Sequence, residues 1–273
     1  MMLGRGEDGT AYEVLGPEGA PVLVLVHGLG ASRRIWDQHL PAFAGYRVIN
    51  YDLYGHGEST AAPAKVTLAL FADQIARLLR SLEIERAHLI GFSIGGMINR
   101  RFAMDHPDKT ASLVVLNSPH ERGEAAQQLV EERALSVRNQ GAFSTFDAAL
   151  KRWFTPGYRD AGPGPAKLRA WREQVDPESY AQSAWVLANG VRELIDPRPP
   201  IAVPSLIMTC ENDSGSTPAM SQAIAKEIQG AELIVVPRLQ HLGMMEDPAA
   251  FTGPILAFLK RINAPEINAP EGT

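Results

Sequence analysis

Residues 87–96 read AHLIGFSIGG, an apolar run that leads directly into a serine flanked by glycines. Ala87–Ile90 has the composition of a buried strand, and Met97–Met104 is compatible with a helix. A serine on a sharp turn from strand to helix projects its hydroxyl clear of the sheet, and a Cβ at the flanking glycines would clash in so tight a turn. The stretch therefore predicts a nucleophile, Ser93, at a helix N-terminus, where developing negative charge is favoured.

The same kind of apolar run recurs along the chain. Five further runs are rich in aliphatic and β-branched residues: Val22–Val26, Arg47–Tyr51, Leu113–Leu116, Pro204–Thr209 and Leu233–Val236. They are nearly continuous rather than alternating, which is typical of strands covered by helices on both faces. Between the second run and Ala87, apolar residues from Leu68 to Leu82 fall at helical spacing. Strands that alternate with helices predict an α/β fold with a parallel sheet.

One interval breaks this alternation. From Glu121 to Ile195 there is no strand-like run, and helical patterns are separated by breakers such as Gly162–Pro165. We expect a helical insertion between two strands of the sheet. Its eight Arg and two Lys are balanced by ten Asp and Glu, so we expect no field that selects an anionic substrate, although a single arginine could do so.

Three of the four tryptophans lie in this insertion, at Trp153, Trp171 and Trp185. Aromatic side chains dominate burial in small cores, so one interpretation is that they pack a thin helical layer. The other is that at least one of them lines a substrate pocket between the insertion and the sheet. We retain all three as pocket candidates.

A serine hydroxyl needs a base to accept its proton, and an imidazole base needs a carboxylate to orient it. In serine sites on a strand–turn–helix, the acid and then the histidine follow the serine along the chain. His241 is the one histidine that follows the last predicted strand, and Asp213 lies a few residues beyond the strand that ends near Cys210. The predicted triad is therefore Ser93, Asp213 and His241.

An oxyanion that develops on the substrate needs two donors. One is the backbone N–H of Ile94, next to the nucleophile. The loop His27–Gly30 follows an early strand, and its glycines allow the main chain to turn its amides inward, which nominates the N–H of Leu29. We expect His27 to brace this loop rather than transfer protons.

Composition excludes several classes of protein. Lys and Arg number 26 against 31 Asp and Glu, a formal charge of −5, which is the wrong sign for a nucleic-acid binder. The apolar runs are too short to span a bilayer, and the first residues lack the apolar core of a signal peptide. A single cysteine, Cys210, excludes an internal disulfide or a Cys-rich metal site. We expect a cytoplasmic protein with no metal, cofactor, nucleic-acid or membrane partner, and no oligomeric state is indicated.

Five ordered features together resemble the α/β-hydrolase superfamily over roughly residues 20–260. They are His27-Gly28, the segment Asp52–Ser59, the turn at Ser93, the pair Asn212-Asp213 and the final His241. The resemblance implies a mostly parallel eight-stranded sheet flanked by helices, with a helical cap inserted between strands six and seven. It also implies that Asp52–Ser59 is a structural turn, so His56 receives no catalytic role.

The resemblance divides the chain into a core of residues 1–120 and 196–262, a cap of residues 121–195 and a flexible tail of residues 263–273. The tail repeats Ile-Asn-Ala-Pro-Glu at 262–266 and 267–271. The segments Arg152–Tyr158 and Ser93–Met97 also resemble 3-oxoadipate enol-lactone hydrolases. These features predict a serine hydrolase that cleaves a small-molecule ester or lactone through an acyl-enzyme.

Two alternatives to this function remain. On the same fold, the reaction could be C–C bond hydrolysis of a meta-cleavage-type product or cofactor-free perhydrolysis. Leu29–Ser32 lacks the Gly-Pro-Gly-Ala that C–C hydrolases often show, which disfavours the first, and Ser93 excludes the nucleophilic aspartate of haloalkane dehalogenases. The alternative of another class is a ligand-binding receptor that retains the triad.

Overall fold

A computed structural model describes residues 1–264, and a single eight-stranded sheet lies at its centre. Residues 265–273 of the predicted tail lie outside the described residues. The strands are β1 Met2–Arg5, β2 Ala11–Leu15, β3 Val22–Val26, β4 Arg47–Tyr51, β5 Ala87–Phe92, β6 Thr110–Leu116, β7 Ser205–Cys210 and β8 Glu232–Val236. Their order across the sheet is β1-β2-β4-β3-β5-β6-β7-β8. All six strands predicted from apolar runs are present.

Ten α-helices accompany the sheet within residues 1–264. They are α1 Leu68–Ser81, α2 Ile94–Asp105, α3 Glu124–Gln140, α4 Phe146–Trp153, α5 Pro156–Ala161, α6 Gly164–Arg172, α7 Pro177–Asn189, α8 Pro218–Glu227, α9 Gly243–Glu246 and α10 Ala249–Ile262. In this part of the chain no helix is both long and apolar enough to cross a membrane. The mostly parallel α/β sheet with flanking helices confirms the predicted fold.

Strand β3 is apolar throughout because both of its faces are covered. Along β3, Val24 and Val26 pack into a cluster with α1 and α2, whereas Leu23 and Leu25 pack into a second cluster with α10 on the opposite face. All four side chains are fully buried. Since successive side chains of a strand point to opposite faces, a strand covered on both sides has no position that faces solvent.

The first two strands have no such signal in the sequence. β1 pairs antiparallel with β2, and β2 pairs antiparallel with β4, so they form the antiparallel end of the sheet. Met2 and Leu3 in β1 are exposed, and β2 is only partly buried. Edge strands bury little surface, which is why their apolar pattern is weak.

Five helices, α3 to α7, occupy the chain between β6 and β7, in the interval where the sequence predicts a helical insertion. We call residues 121–195 the cap. Asp176 caps α7, its Oδ1 accepting the N–H of Ser179 over 2.8 Å. The exact boundaries of the cap at residues 121 and 195 stay a prediction.

The register of the parallel strands determines where the functional loops begin. Phe92 at the end of β5 lies beside Leu116 at the end of β6, and Leu116 lies beside Met208 in β7. The residues that follow these strands therefore emerge at one edge of the sheet, which is the edge where open α/β sheets bind ligands.

Candidate active site

Ser93 lies on a strained turn between β5 and α2. Its φ is 59° and its ψ is −116°, a backbone conformation that L-residues rarely adopt. A Cβ on Gly95 would contact the carbonyl oxygens of Val26 and, at 2.8 Å, of His27. The N–H of Ser93 donates to Leu116 O over 2.8 Å, which anchors the turn to the neighbouring strand. The turn thus presents the hydroxyl of Ser93 at the start of a helix.

His241 lies in the loop after β8 and faces this hydroxyl. Its Nε2 is 3.2 Å from Ser93 Oγ, and its Nδ1 is 2.7 Å from Asp213 Oδ2. The imidazole ring also packs against Phe92, with 5.0 Å between ring centroids. The structure therefore brings the three predicted residues into one hydrogen-bonded chain although 148 residues separate Ser93 from His241.

Asp213 lies in the turn after β7 and its side chain is fully buried. The N–H groups of Gly215 and Ser216 each donate to its Oδ1 over 2.9 Å. Burial raises the pKa of this carboxyl, but the charge and hydrogen bond of His241, with the further donors, outweigh burial and hold the pKa below its ordinary value. The carboxylate is therefore ionised and oriented toward the imidazole.

Asn117 was not identified from the sequence. It follows the last residue of β6, has a positive φ of 46°, and donates from Nδ2 to Asp213 Oδ2 over 2.9 Å. Its N–H donates to Met208 O over 2.8 Å, which ties the turn to β7. The available signal was a polar residue directly after a buried apolar strand, at the same position relative to β6 as Ser93 has relative to β5.

The predicted oxyanion loop lies against the nucleophile turn. A Cβ on Gly28 would lie 2.7 Å from Phe92 Cδ1 and 3.4 Å from Ser93 Cβ, so only a glycine allows this approach. His27 is fully buried, its Nδ1 2.8 Å from Gly28 O, and its Nε2 accepts the N–H of Leu53 over 3.0 Å. These contacts fit the expected bracing role of His27. Leu29 borders the cavity next to Ser93, and Ile94 is the first residue of α2.

The segment Asp52–Ser59 is also held by structural contacts. Asp52 accepts the N–H of Arg33 over 2.7 Å and that of Glu58 over 3.0 Å, and its carboxylate forms an ion pair with the Arg33 guanidinium. His56 is fully buried, and its Nδ1 is 3.0 Å from Tyr54 O. Neither residue contacts Ser93 or His241.

A cavity of about 270 Å³ lies between the sheet edge and the cap, with Ser93 and His241 in its wall. Of the three candidate tryptophans, Trp153 lines this cavity, with its ring centroid 6.4 Å from that of His241. Trp171 is buried in the apolar cluster beneath the cap, and Trp185 is 42% exposed on the outer surface. Of the three candidates, Trp153 therefore borders the cavity and the other two do not, a distinction that a sequence pattern cannot make because it does not give the direction of a helix face.

Four arginines line the same cavity: Arg122, Arg133, Arg152 and Arg172. Burial, followed by the charge of Arg133, lowers the pKa of Arg122 to about 10 and lowers that of Arg152. This corrects the expectation that the balanced charge of the cap creates no field. The cap has ten basic and ten acidic residues, but four of its eight arginines line the cavity and none of its acidic residues does.

Known proteins resemble the chain over almost its whole length. A family model described as the alpha/beta hydrolase family matches residues 23–253. The chain is similar to 3-oxoadipate enol-lactonase 2 of Acinetobacter baylyi, with 31% identity over 92% of this chain and 93% of the relative.

Two solved structures show the same likeness in three dimensions. The enol-lactonase of Burkholderia xenovorans LB400 is 28% identical, with a TM-score of 0.85 over 95% of this chain and 100% of its own. A thermophilic esterase of Thermogutta terrifontis is 27% identical, with a TM-score of 0.82 over 93% of both chains. The sheet and the sequence likeness agree, and the chain belongs to the α/β hydrolase family.

Proposed function

We propose that the protein is a serine hydrolase that cleaves a carboxylic ester or lactone of a small molecule through an acyl-enzyme. The observation that carries the proposal is the hydrogen-bonded chain from Ser93 Oγ to His241 and on to Asp213, spanning 3.2 Å and 2.7 Å, in the wall of a cavity. Both distances are short enough for a base to take a proton and for an acid to orient the base.

In the first step, Ser93 Oγ attacks the carbonyl carbon while its proton moves to His241 Nε2. Asp213 accepts the Nδ1–H of His241, which selects the tautomer with a free Nε2 and stabilises the imidazolium that forms. When the tetrahedral intermediate collapses, the C–O bond to the leaving group breaks and His241 returns the proton to the departing oxygen. An acyl-enzyme on Ser93 remains.

The negative charge of the intermediate needs donors that are already in position. We assign this role to the backbone N–H groups of Ile94 and Leu29. Support comes from the close approach of Gly28 to Ser93 and from the position of Ile94 at the first turn of α2, where the helix dipole favours negative charge. Removal of one such donor typically costs about 10²–10³-fold in kcat.

In the second step, a water attacks the acyl carbon as His241 accepts its proton. The bond from the acyl carbon to Ser93 Oγ then breaks, His241 returns the proton to Oγ, and the acid product is released. A lactone differs from an open ester only in that both products stay joined as one molecule. The resemblance to an enol-lactonase and to an esterase supports these two bond types. The cavity volume of about 270 Å³ supports a small-molecule substrate.

The test compares the wild type with Ser93→Ala on p-nitrophenyl acetate and on a panel of lactones, with fluorophosphonate labelling in parallel. We expect Ser93→Ala to lose on the order of 10⁶-fold in kcat and all labelling, by analogy with other triads. Ser144→Ala, which alters an exposed serine of the cap, serves as the matched control and should retain both. Comparable hydrolysis by Ser93→Ala would exclude the mechanism, and a folded wild type without adduct would favour a receptor.

The same panel separates the alternatives within the family. Turnover of vinylogous diketones in preference to esters would indicate C–C bond hydrolysis, and peracid formation from acetate and hydrogen peroxide would indicate perhydrolysis. Lactone or ester turnover well above both supports the proposal.

A further inference from the structure

The cavity beside Ser93 carries an unbalanced positive charge. Its wall contains four guanidinium groups, and among the lining residues in the described part of the chain Asp213 is the only carboxylate. Asp213 is already engaged by His241 and Asn117 on one oxygen and by two backbone N–H groups on the other. Within residues 1–264, no acidic side chain that lines the cavity therefore remains to neutralise its arginines.

Two of the four arginines are held by neutral groups. Arg122 donates to the carbonyls of Leu187 and Ala188 over 3.3 Å and 3.2 Å, at the C-terminal end of α7. Arg172 donates to Ala142 O over 3.0 Å and lies over the ring of Tyr180, 4.6 Å from its centroid. Both guanidiniums are thus positioned, but their charges are not cancelled.

The other two arginines have no such partner. Within residues 1–264, Arg133 and Arg152 form no ion pair and donate no hydrogen bond, although both are partly buried and both line the cavity. Arginines on the outer side of the cap behave differently. Arg138 pairs with Glu178 and Arg192 pairs with Glu131, so these acidic residues form ion pairs on the outer surface of the cap.

The inward arginines also repel one another. Burial first, and the charge of Arg133 second, lowers the pKa of both Arg122 and Arg152. Like charges gathered at a partly buried site destabilise the protein unless an anion binds between them. Such a cluster, in the same cavity as Ser93, has the properties of an anion-binding site.

We propose that the substrate carries two carboxylates besides the bond that is cleaved, and that Arg133 and Arg152 are the residues that select it, with Arg122 adding charge. This rests on the proposed function, because it specifies the substrate class of the same site. Arg133 and Arg152 offer about five N–H donors each, whereas one carboxylate offers about four acceptor positions. A single carboxylate leaves most of these donors and three of the four positive charges without a counterpart.

Binding is measured on the Ser93→Ala protein, which keeps the full chain and the cavity. Calorimetry near neutral pH and at low salt compares glutarate with its monomethyl and dimethyl esters, ligands that share one carbon chain and carry two, one and no carboxylates. We expect glutarate to bind at least about tenfold more tightly than the monomethyl ester, the size of effect given by one charge-assisted pair. We expect the dimethyl ester to bind weakest.

The arginines are tested in the same background. Arg133→Gln and Arg152→Gln should each reduce the preference for glutarate over its monomethyl ester to about threefold or less. Arg138→Gln, on the same helix as Arg133 but facing outward, is the matched control and should retain the full preference. Arg133→Gln should also raise the Tm of the ligand-free protein, because it removes repulsion, so a failure to fold is recognised at once.

Equal affinity for the three ligands, or an equal effect of Arg138→Gln and Arg133→Gln, would overturn the proposal. Tighter binding of inorganic phosphate than of glutarate would also overturn it, because the cavity arginines would then form a phosphate site instead of a dicarboxylate site. The two proposals fail separately. Ester hydrolysis by Ser93→Ala would refute the serine mechanism but would not affect the comparison of the three ligand affinities. Loss of hydrolysis together with equal affinities for the three ligands would refute only the dicarboxylate assignment.

Discussion

The side-chain amide of Asn117 donates to Oδ2 of Asp213 over 2.9 Å, the same oxygen that lies 2.7 Å from Nδ1 of His241. With the N–H groups of Gly215 and Ser216 on Oδ1, the buried carboxylate has four donors around it. Hydrogen bonds to the charged form hold a carboxyl ionised and fix its plane. Asn117 therefore acts on the proposed reaction through Asp213, as a positioning residue.

Replacing Asn117 by alanine removes one hydrogen bond to a buried charge, an effect of about 1.5–3 kcal/mol. We expect Asn117→Ala to lower kcat about tenfold or more with little change in KM, because each 1.4 kcal/mol in the barrier is about tenfold in rate. The pKa of Asp213 should rise, so the acidic limb of the kcat profile should move to higher pH. Asn212→Ala, an exposed change in the neighbouring turn, is the control. An unchanged pH profile with a lower Tm would reduce Asn117 to a purely structural role.

Gly95 supports the nucleophile turn by allowing α2 to approach β3. A Cβ there would contact the carbonyl oxygen of Val26, which is backbone and cannot move aside. We expect Gly95→Ala to destabilise the protein by about 1–3 kcal/mol and to abolish most activity, since the turn that carries Ser93 must shift. Urea denaturation and turnover of p-nitrophenyl acetate measure both effects.

Gly253 provides the contrast for this substitution. It lies on the exposed side of α10, and a Cβ there meets nothing within 4 Å. Alanine is favoured over glycine in a helix by about 1 kcal/mol, but the following Pro254 disfavours helical backbone at a residue with a Cβ, so Gly253→Ala should leave activity unchanged and change stability by no more than about 1 kcal/mol. If Gly95→Ala behaved like Gly253→Ala, the close approach of α2 to β3 would not be required for the turn.

The positions of Ser93, Asp213 and His241 could be predicted because each follows a strand with a strong apolar signal. Parallel strands end at one edge of a sheet, so residues that follow them converge without any knowledge of the contacts between them. Met2–Arg5 could not be predicted in the same way. It lies at the sheet edge, exposes its apolar side chains, and depends on pairing with the next strand rather than on burial.

The direction of the cap side chains was also beyond sequence reasoning. Arg133 lies among apolar residues that line the cavity at helical spacing, whereas Arg138 on the same helix pairs with Glu178 outside. Charge counts treat these two arginines alike, because the count contains no information about which face of α3 packs against the core. The tryptophans differ for the same reason: Trp153 faces the cavity and Trp185 faces outward.

Four buried histidines should lower the stability of the protein in mildly acidic solution. Burial lowers the pKa of His27, His39 and His88 to about 4 and that of His56 to about 3, from an ordinary value of 6.5. Between about pH 6.5 and 4 the unfolded chain binds protons at these positions and the native protein does not. The free energy of unfolding should therefore fall as pH falls, by up to about 5 kcal/mol per pH unit when all four contribute.

His39→Gln tests the contribution of a single histidine to this pH dependence. His39 Nε2 lies 3.1 Å from Met244 O, and a glutamine amide can keep a donor at this position. We expect the variant to reduce the pH slope of the free energy of unfolding by about 1.4 kcal/mol per pH unit, measured by urea denaturation at several values between pH 5 and 6.5. An identical slope in both proteins would show that His39 is protonated in the native state over this range.

The loop that carries His241 is attached to the cap. Leu242 N donates to Trp153 O over 2.8 Å, and Tyr158 Oη donates to Met245 O over 2.9 Å. Glu246 accepts the N–H of Thr155 over 2.9 Å and its hydroxyl over 2.6 Å. A displacement of the cap segment that contains these residues would therefore displace the histidine.

Thr155→Val keeps the N–H contact with Glu246 and removes the hydroxyl contact, at a cost of about 1.5–3 kcal/mol for a bond to a charged group. We expect Tm to fall by several degrees, at about 2–4 °C per kcal/mol for a chain of this size, and kcat to fall more than KM rises. Thr155→Ser restores the hydroxyl and should restore both values. A lower Tm with unchanged kcat in Thr155→Val would show that the position of His241 does not depend on the cap, since the contact would then stabilise the fold without transmitting a displacement to Ser93.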